Sequence, residues 1–426
     1  MNHPSKRIPH FLNQALLGIL FLLSLIPESY CQKLSYDDFI GSELIISNRQ
    51  NSKETLKKEY VVLVSIDGFR HDYAEKYGAT KILDLAKSGS KSESFLPLFP
   101  SKTFPSHYSI ISGLTPSNHG IIGNSFYSKE KDDWFNQKDL GDGHWFGGVP
   151  LWTLAEDQGM LSASIYWVAC EATIAGSKST YTFGYDQKVP NTHRVKKIIE
   201  WLGLPPNQRP HLITAYFSTV DTAGHNFGPD DERTKDAVLE IDEVIGQLVS
   251  QLDQTGLPVT IVLVSDHGMT EVTNNIVLPD LVDLKDAEVI YSIPTMIYQP
   301  DSVKKSELHK SLLQCDQFET FLPINLPAHL DLNNPDRVGD IIVYPSAPNI
   351  ISSAPGSIKP GTHGFDALTC PEMGGICYIK GPRIKENFKF GMVENIHLYP
   401  FLAYLLDLQL SHKIDGELRY MKPVLK

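Results

Sequence analysis

Cysteine is scarce in this chain, with five residues in 426, and none has the paired spacing of a structural zinc knuckle. Positive charge is also short. The 38 Lys and Arg against 50 Asp and Glu give a formal net charge of −12, and an acidic chain without a basic stripe is a poor partner for long nucleic acid. The glycines of DWFNQKDLGDGHWFGGVPLW, residues 133 to 152, do not fit the G-x-G-x-x-G turn of a dinucleotide fold. No internal repeat or low-complexity tract occurs, which excludes solenoids and disordered linkers as the main architecture. The N-x-S/T acceptor for glycosylation is missing throughout.

Long hydrophobic runs are missing too, apart from ALLGILFLLSLI at 15 to 26, which is too short and too early for a membrane span. Lys6 and Arg7 precede it and PESYCQ follows, the order of a secretory signal peptide ending near residue 31. Lipid attachment at Cys31 is the alternative, although Glu28, Ser29 and Tyr30 make a poor lipobox. The expected location is secreted or periplasmic, without a transmembrane anchor. Cys170, Cys315, Cys370 and Cys377 then remain and allow three pairings, of which the short loop TCPEMGGIC favours Cys370 with Cys377.

The organisation expected is α/β. After the leader, residues 32–58 form a lead-in, and 59–270 alternate apolar strands with amphipathic helices such as DERTKDAVLEIDEVIGQLVSQLDQ. Residues 271–355 change character, with YSIPTMIYQP and the Pro- and Asn-rich LPINLPAHLDLNNPDR, and read as an inserted cap. The core resumes over 356–426. Three apolar runs each end in an aspartate: YVVLVSI before Asp67, LITAYFSTV before Asp221, and VTIVLVS before Asp266 and His267. Short β-branched runs apolar on both faces are how strands read in a parallel sheet covered by helices on both sides. Ligands of such sheets gather at the carboxyl ends of the strands.

With His225 in DTAGH and His363 in GTHGFD, three carboxylates and three imidazoles are expected to converge on one crevice. No packed core tolerates that much unpaired charge. Mixed oxygen and nitrogen donors favour zinc over magnesium or calcium. A hydroxyl is also at hand. Thr103 lies between the extended LPLFPSK and the apolar FPSHYSIISGL, where Pro105 near a first-turn position marks a helix start. A threonine that opens a helix meets backbone N–H groups suited to an anion and, held by a metal, becomes a nucleophile.

VSIDGFR, KTFPSHY, GLTPSNHGIIGN, VDTAGHNFGP, SDHGM and GTHGFD, in this order between about Tyr60 and Pro400, resemble the nucleotide pyrophosphatase/phosphodiesterase family of the alkaline phosphatase superfamily. That resemblance implies an alkaline-phosphatase-like, mostly parallel sheet with helices on both faces. It implies two Zn2+ per subunit, one on Asp67, Thr103, Asp266 and His267 and one on Asp221, His225 and His363, with Asn124 donating to a phosphate oxygen. It implies a phosphoric diester hydrolase or nucleotide diphosphatase: Thr103 attacks phosphorus, a phosphothreonine forms, and water cleaves it to release a nucleoside 5'-monophosphate. Phe104, Trp167 and Tyr185 would form an aromatic slot for the base of a small-molecule phosphodiester substrate.

Related monoesterases carry cations near YWVACEAT, whereas here Cys170 and Glu171 stand and no Lys or Arg occurs between Lys138 and Lys178, which favours a diester. The family also contains choline and lysophospholipid phosphodiesterases on the same metal site, a preference set by pocket shape. Eukaryotic members are commonly glycosylated and membrane-attached, so the missing acceptor favours a bacterial secreted type. A sulfatase would need C/S-x-P-S-R, which CPEMG does not supply, and a phosphoglycerate mutase would need a serine nucleophile. An inactive binding protein on this scaffold would be expected to have lost a ligand or the nucleophile, and every position is filled.

Overall fold

The computed structural model describes residues 43–426 except Ser357. The expected leader, with Cys31, lies outside the described residues, as does the lead-in up to residue 42.

A nine-stranded sheet organises the fold. Its strands, labelled in chain order, are β1 (Leu44–Ile45), β2 (Tyr60–Ile66), β3 (Ser90–Ser92), β4 (Ser162–Ile165), β5 (Tyr181–Phe183), β6 (Leu212–Phe217), β7 (Val259–Val264), β8 (Cys377–Lys380) and β9 (Phe388–Phe390). Their spatial order is β1-β5-β4-β6-β2-β7-β8-β3-β9. The five strands β5-β4-β6-β2-β7 run parallel, and only β1 and β8 run against them. Every residue of β2 and β6 is buried, because a parallel strand with a layer on each face needs apolar side chains in both directions.

Helices cover the sheet. The longest, Glu232–Gln254, starts where the Asp231 carboxylate accepts from the Arg233 N–H and buries Val238, Ile241, Ile245 and Leu248 at helical spacing. The main core collects β-strand side chains with Trp152, Tyr108, Phe126, Phe135 and the helix Leu398–Leu405. A smaller antiparallel sheet stands apart, in the order 288–290, 295–298, 341–344, 319–321. It builds its own core from Ile297, Ile341, Val343, Leu308 and Leu312.

The preferred Cys370–Cys377 pairing is not formed, and all four described cysteines are free thiols. Cys377 is fixed by its register in β8 opposite Val264, while Cys370 precedes a 3-10 turn and its thiol donates to Glu372 Oε2 at 3.4 Å.

Candidate active site

Three neighbouring strands of the sheet, β6-β2-β7, end side by side at their carboxyl ends. Asp67 follows β2 directly, Asp266 and His267 follow β7 after Ser265, and Asp221 sits in the first turn of the helix α2 (Thr219–Phe227) that succeeds β6. The loop after β2 must pass close to α2. Gly68 makes this possible: it has φ +69°, and a Cβ there would lie 2.8 Å from Asp221 Cα. The Asp221 N–H consequently donates to Asp67 O at 3.0 Å.

Two tight groupings of donor atoms result, Asp67 with Asp266 and His267, and Asp221 with His267 and His363. His267 Nε2 is 3.1 Å from Asp266 Oδ2 and 3.3 Å from Asp67 Oδ1. His363 and His225 present Nε2 to Asp221 Oδ1 at 3.7 and 3.5 Å. His225 stands at the edge of this set and belongs to neither tight grouping. Each imidazole has its other nitrogen tied to a backbone carbonyl: His267 to Gly268 at 2.9 Å, His363 to Ser101 at 2.8 Å, His225 to Gly361 at 2.8 Å. Such Nδ1–H bonds orient a ring and leave Nε2 with a lone pair for a metal.

The carboxylates also fit a metal. Asp67 Oδ1, Asp221 Oδ1 and Asp266 Oδ2 are buried with no protein hydrogen-bond partner, a costly arrangement unless a cation neutralises them. Burial and the Asp266 and Asp221 charges push the Asp67 carboxyl well above its ordinary range. Burial works against ionised Asp266 as well, but the His267 and His107 imidazoles outweigh it and hold that carboxyl far below its usual value. Burial, with His267, Lys102 and His225 nearby, keeps His363 neutral by driving its pKa well down. Burial disfavours a charged His267 too, but there the Asp266 and Asp221 carboxylates outweigh it and raise the pKa. Carboxylate and imidazole donors gathered in two adjoining groupings are a set that could hold divalent metal.

Thr103 is the first residue of the helix α1 (Thr103–Ser112), and its Oγ1 lies 3.3 Å from His267 Nε2. The Asn124 side-chain oxygen accepts the Phe104 N–H at 3.0 Å, so its amide N–H groups are what Asn124 can offer to a substrate. These residues open on a cavity of about 210 Å³ lined by Asp67, Thr103, Asn124 and Asp221 on one side and Phe104, Trp167 and Tyr185 on the other. Trp167 is only 2% exposed, whereas Tyr185 is 37% exposed. Tyr166 and Ala169, in the loop after β4 that lines this cavity, adopt φ of +62° and +68°, the kind of local strain that collects at functional sites. Among the described lining residues there is no Lys or Arg, while Glu171 is present.

Sequence reasoning left three participants unassigned. Tyr216 donates its hydroxyl to Asp67 Oδ2. His107 lies 3.2 Å from Asp266 Oδ2 and 2.8 Å from Ser65 Oγ. Lys102 is a cation the sequence argument about monoesters did not weigh: its buried amine donates to His363 O at 2.6 Å, and burial lowers its pKa to about 8. The hint for Lys102 was its place beside Thr103; Tyr216 and His107 gave no signal beyond their nearness to ligands in sequence.

Comparison with known proteins places the fold in a family. Residues 61–366 match the family described as type I phosphodiesterase / nucleotide pyrophosphatase. The bovine bis(5'-adenosyl)-triphosphatase ENPP4 is 30% identical over 90% of this chain and 85% of its own length. Human ectonucleotide pyrophosphatase/phosphodiesterase family member 1 is 30% identical over 82% of this chain, which spans 40% of that longer protein. Among solved structures, murine ENPP5 superposes with a TM-score of 0.83 at 26% identity, covering 86% of this chain and 100% of the murine one. An inactive threonine-to-alanine variant of the murine protein, in complex with AMP, gives the same TM-score, 0.83, and the same 26% identity, over 87% of this chain and 100% of the murine one.

Proposed function

The chain belongs to the type I phosphodiesterase/nucleotide pyrophosphatase family of hydrolases, and from that premise we propose that it is a two-zinc nucleotide phosphodiesterase that uses Thr103 as nucleophile. The observation that carries this reading is Thr103 Oγ1 at 3.3 Å from His267 Nε2, amid three buried carboxylate oxygens that face imidazoles and accept no hydrogen bond. One ion would be held by Asp67, Asp266, His267 and Thr103, the other by Asp221, His225 and His363. When bound, the two ions supply Lewis acidity at the entering and leaving oxygens of an in-line displacement.

The chain's own groups do the rest. Thr103 Oγ forms a bond to phosphorus as the bond to the leaving alkoxide or phosphate breaks, and water then displaces Thr103 from the phosphothreonine to release a nucleoside 5'-monophosphate. Asn124 Nδ2 and the Thr103 N–H at the start of α1 donate to the phosphoryl oxygens as charge builds there. Lys102, bound to the His363 carbonyl, steadies the segment that carries His363. Phe104 and Tyr185 take the two faces of the base, with Trp167 behind them as a buried wall. The cation-free lining supports a diester, since a monoester would bring one more negative charge to a cavity that already holds Glu171. A bound nucleotide in the murine relative and the threonine substitution that inactivates it both support the reading.

Location follows the same way. Among the described residues no helix is long and apolar enough to cross a membrane. The leader pattern of residues 1–31 and the relatives named as ectoenzymes support secretion.

The test is steady-state hydrolysis of the nitrophenyl ester of thymidine 5'-monophosphate beside nitrophenyl phosphate and nitrophenyl phosphocholine, with zinc-loaded wild type and Thr103→Ala. The expected result is a large preference for the nucleotide diester and a loss of about a thousandfold or more on removing the nucleophile, with zinc content retained. A preference for phosphocholine sinks the nucleotide assignment, and undiminished turnover in Thr103→Ala sinks the mechanism.

A further inference from the structure

The hairpin of Phe126–Ser128 and Asp133–Phe135 has two faces with different neighbours. Phe126 and Phe135 are cross-strand partners and stack at 4.7 Å, and Phe135 meets Phe104 edge-on at 6.4 Å, so this face supports the catalytic cavity. The next cross-strand pair, Tyr127 and Trp134, points the other way by the alternation of a strand. There the two rings lie 5.1 Å apart and meet Tyr298 of the smaller sheet at 5.8 and 5.6 Å. The three rings wall a second cavity of about 680 Å³ that shares no lining residue with the catalytic one.

Four carboxylates, the single lysine Lys129 and Pro300 line the rest of this cavity, leaving it net negative. Two are already compensated: Asp286 by Lys304 at 2.5 Å and Asp340 by Lys129 at 3.4 Å. Two are not. Asp132 accepts only the Tyr127 hydroxyl, and Glu288, on the edge strand opposite Tyr298, has no hydrogen-bond or ion-pair partner among the described residues. Aromatic faces and uncompensated carboxylates attract the same species. The ring quadrupole is negative over its face, so a cation with an apolar skin satisfies both at once. An anion meets like charge here, and a neutral apolar ligand would bury the carboxylates without a partner.

We propose that the cavity between Tyr127, Trp134, Tyr298 and Glu288 is a second ligand site, selective for an organic ammonium ion and separate from the phosphodiesterase centre. Trp134 supplies its own reporter: it is 37% exposed, whereas the other four tryptophans are at most 3% exposed.

The experiment titrates the full chain with tetramethylammonium chloride at constant ionic strength made up with sodium chloride, following tryptophan emission. A saturable change is expected for wild type, with the dissociation constant raised roughly two- to fivefold in Glu288→Gln. Calorimetry on Trp134→Ala should show binding abolished, while hydrolysis of the nucleotide ester is unchanged in both variants. Emission that does not saturate, or Trp134→Ala binding as wild type does, overturns the proposal. So does saturation by a neutral methyl glucoside without any response to tetramethylammonium.

Discussion

The Tyr216 hydroxyl donates to Oδ2 of Asp67 and leaves Oδ1 of the same carboxylate buried, facing His267 Nε2 at 3.3 Å and accepting no hydrogen bond. The contact is built by strand register, since Tyr216 on β6 lies opposite Ser65 on β2, two residues before Asp67. A carboxylate with one oxygen fixed in this way turns its other oxygen toward the metal pocket, the role that outer partners play for metal ligands. Tyr216→Phe should therefore lower divalent metal affinity by about 10- to 100-fold, read by competition with a chromogenic chelator. The melting temperature of the chelated protein should change little. Unchanged metal affinity in a folded variant would remove Tyr216 from the positioning of Asp67.

Such a contact shows where sequence reasoning stops. The strands that lead to Asp67, Asp221 and Asp266 were legible because a buried parallel strand needs a continuous apolar run, and a charge near its end has few other reasons to be there. The run before Asp221 nevertheless leaves the strand at Phe217, and Asp221 itself sits in the first turn of α2. The antiparallel β8 was not legible. Its place beside β7 depends on a pairing of residues more than a hundred positions apart across the smaller sheet, and nothing local in CYIK announces it. The edge strand Leu44–Ile45 was likewise hidden inside what read as a lead-in, because two residues carry no period. The outer partners Tyr216 and His107 read as strand and helix core residues, which by burial they also are.

The slot offers a clean separation of binding from chemistry. Phe104 and Tyr185 line the cavity but belong to neither grouping of metal-binding side chains, so Phe104→Ala or Tyr185→Ala should leave zinc content intact. Stacking on one base face contributes about 1 to 3 kcal/mol, which corresponds to a fall of roughly 5- to 150-fold in kcat/KM for the thymidine ester. Hydrolysis of bis-nitrophenyl phosphate, which has no base, should be nearly unaffected. An equal loss on both substrates would show that these rings shape the metal pocket and do not bind the base.

Stability should depend on pH through His119. Its Nδ1 accepts the Ile121 N–H at 3.0 Å, and its Nε2 is 2.9 Å from Ser109 Oγ, so the neutral ring is built into the fold. Burial, with Arg337 nearby, lowers its pKa to about 3. A base with a depressed folded pKa binds its proton more readily unfolded, so its contribution is whole above the unfolded value of about 6.5 and is lost as pH falls toward 3. Each pH unit below about 6.5 costs on the order of 1.4 kcal/mol from this group. His211, lowered to about 4 by burial, adds in the same direction. Urea unfolding of the chelated protein at pH 7.5 and 5.5 should show the loss, and His119→Asn, which keeps an acceptor without a titrating ring, should show a smaller one. An equal pH slope in the two proteins would refute the assignment.

Gly68 brings the backbones of Asp67 and Asp221, one from each donor grouping, into close approach. Its φ of +69° places it where an L side chain is strained, and the added Cβ of alanine would fall 2.8 Å from Asp221 Cα and 2.9 Å from Asp221 Cβ. Neither atom belongs to a flexible chain end, so the loop after β2 and the start of α2 have to separate. The left-handed conformation costs an alanine roughly 1 to 2 kcal/mol and the contact about 1 to 3 more, which should appear as a lower urea midpoint in the chelated protein. The separation would also move Asp67 away from Asp221, so zinc stoichiometry and turnover should fall together, with excess zinc restoring part of both. A Gly68→Ala protein that is less stable but keeps wild-type zinc stoichiometry and affinity would show that this approach serves the fold alone.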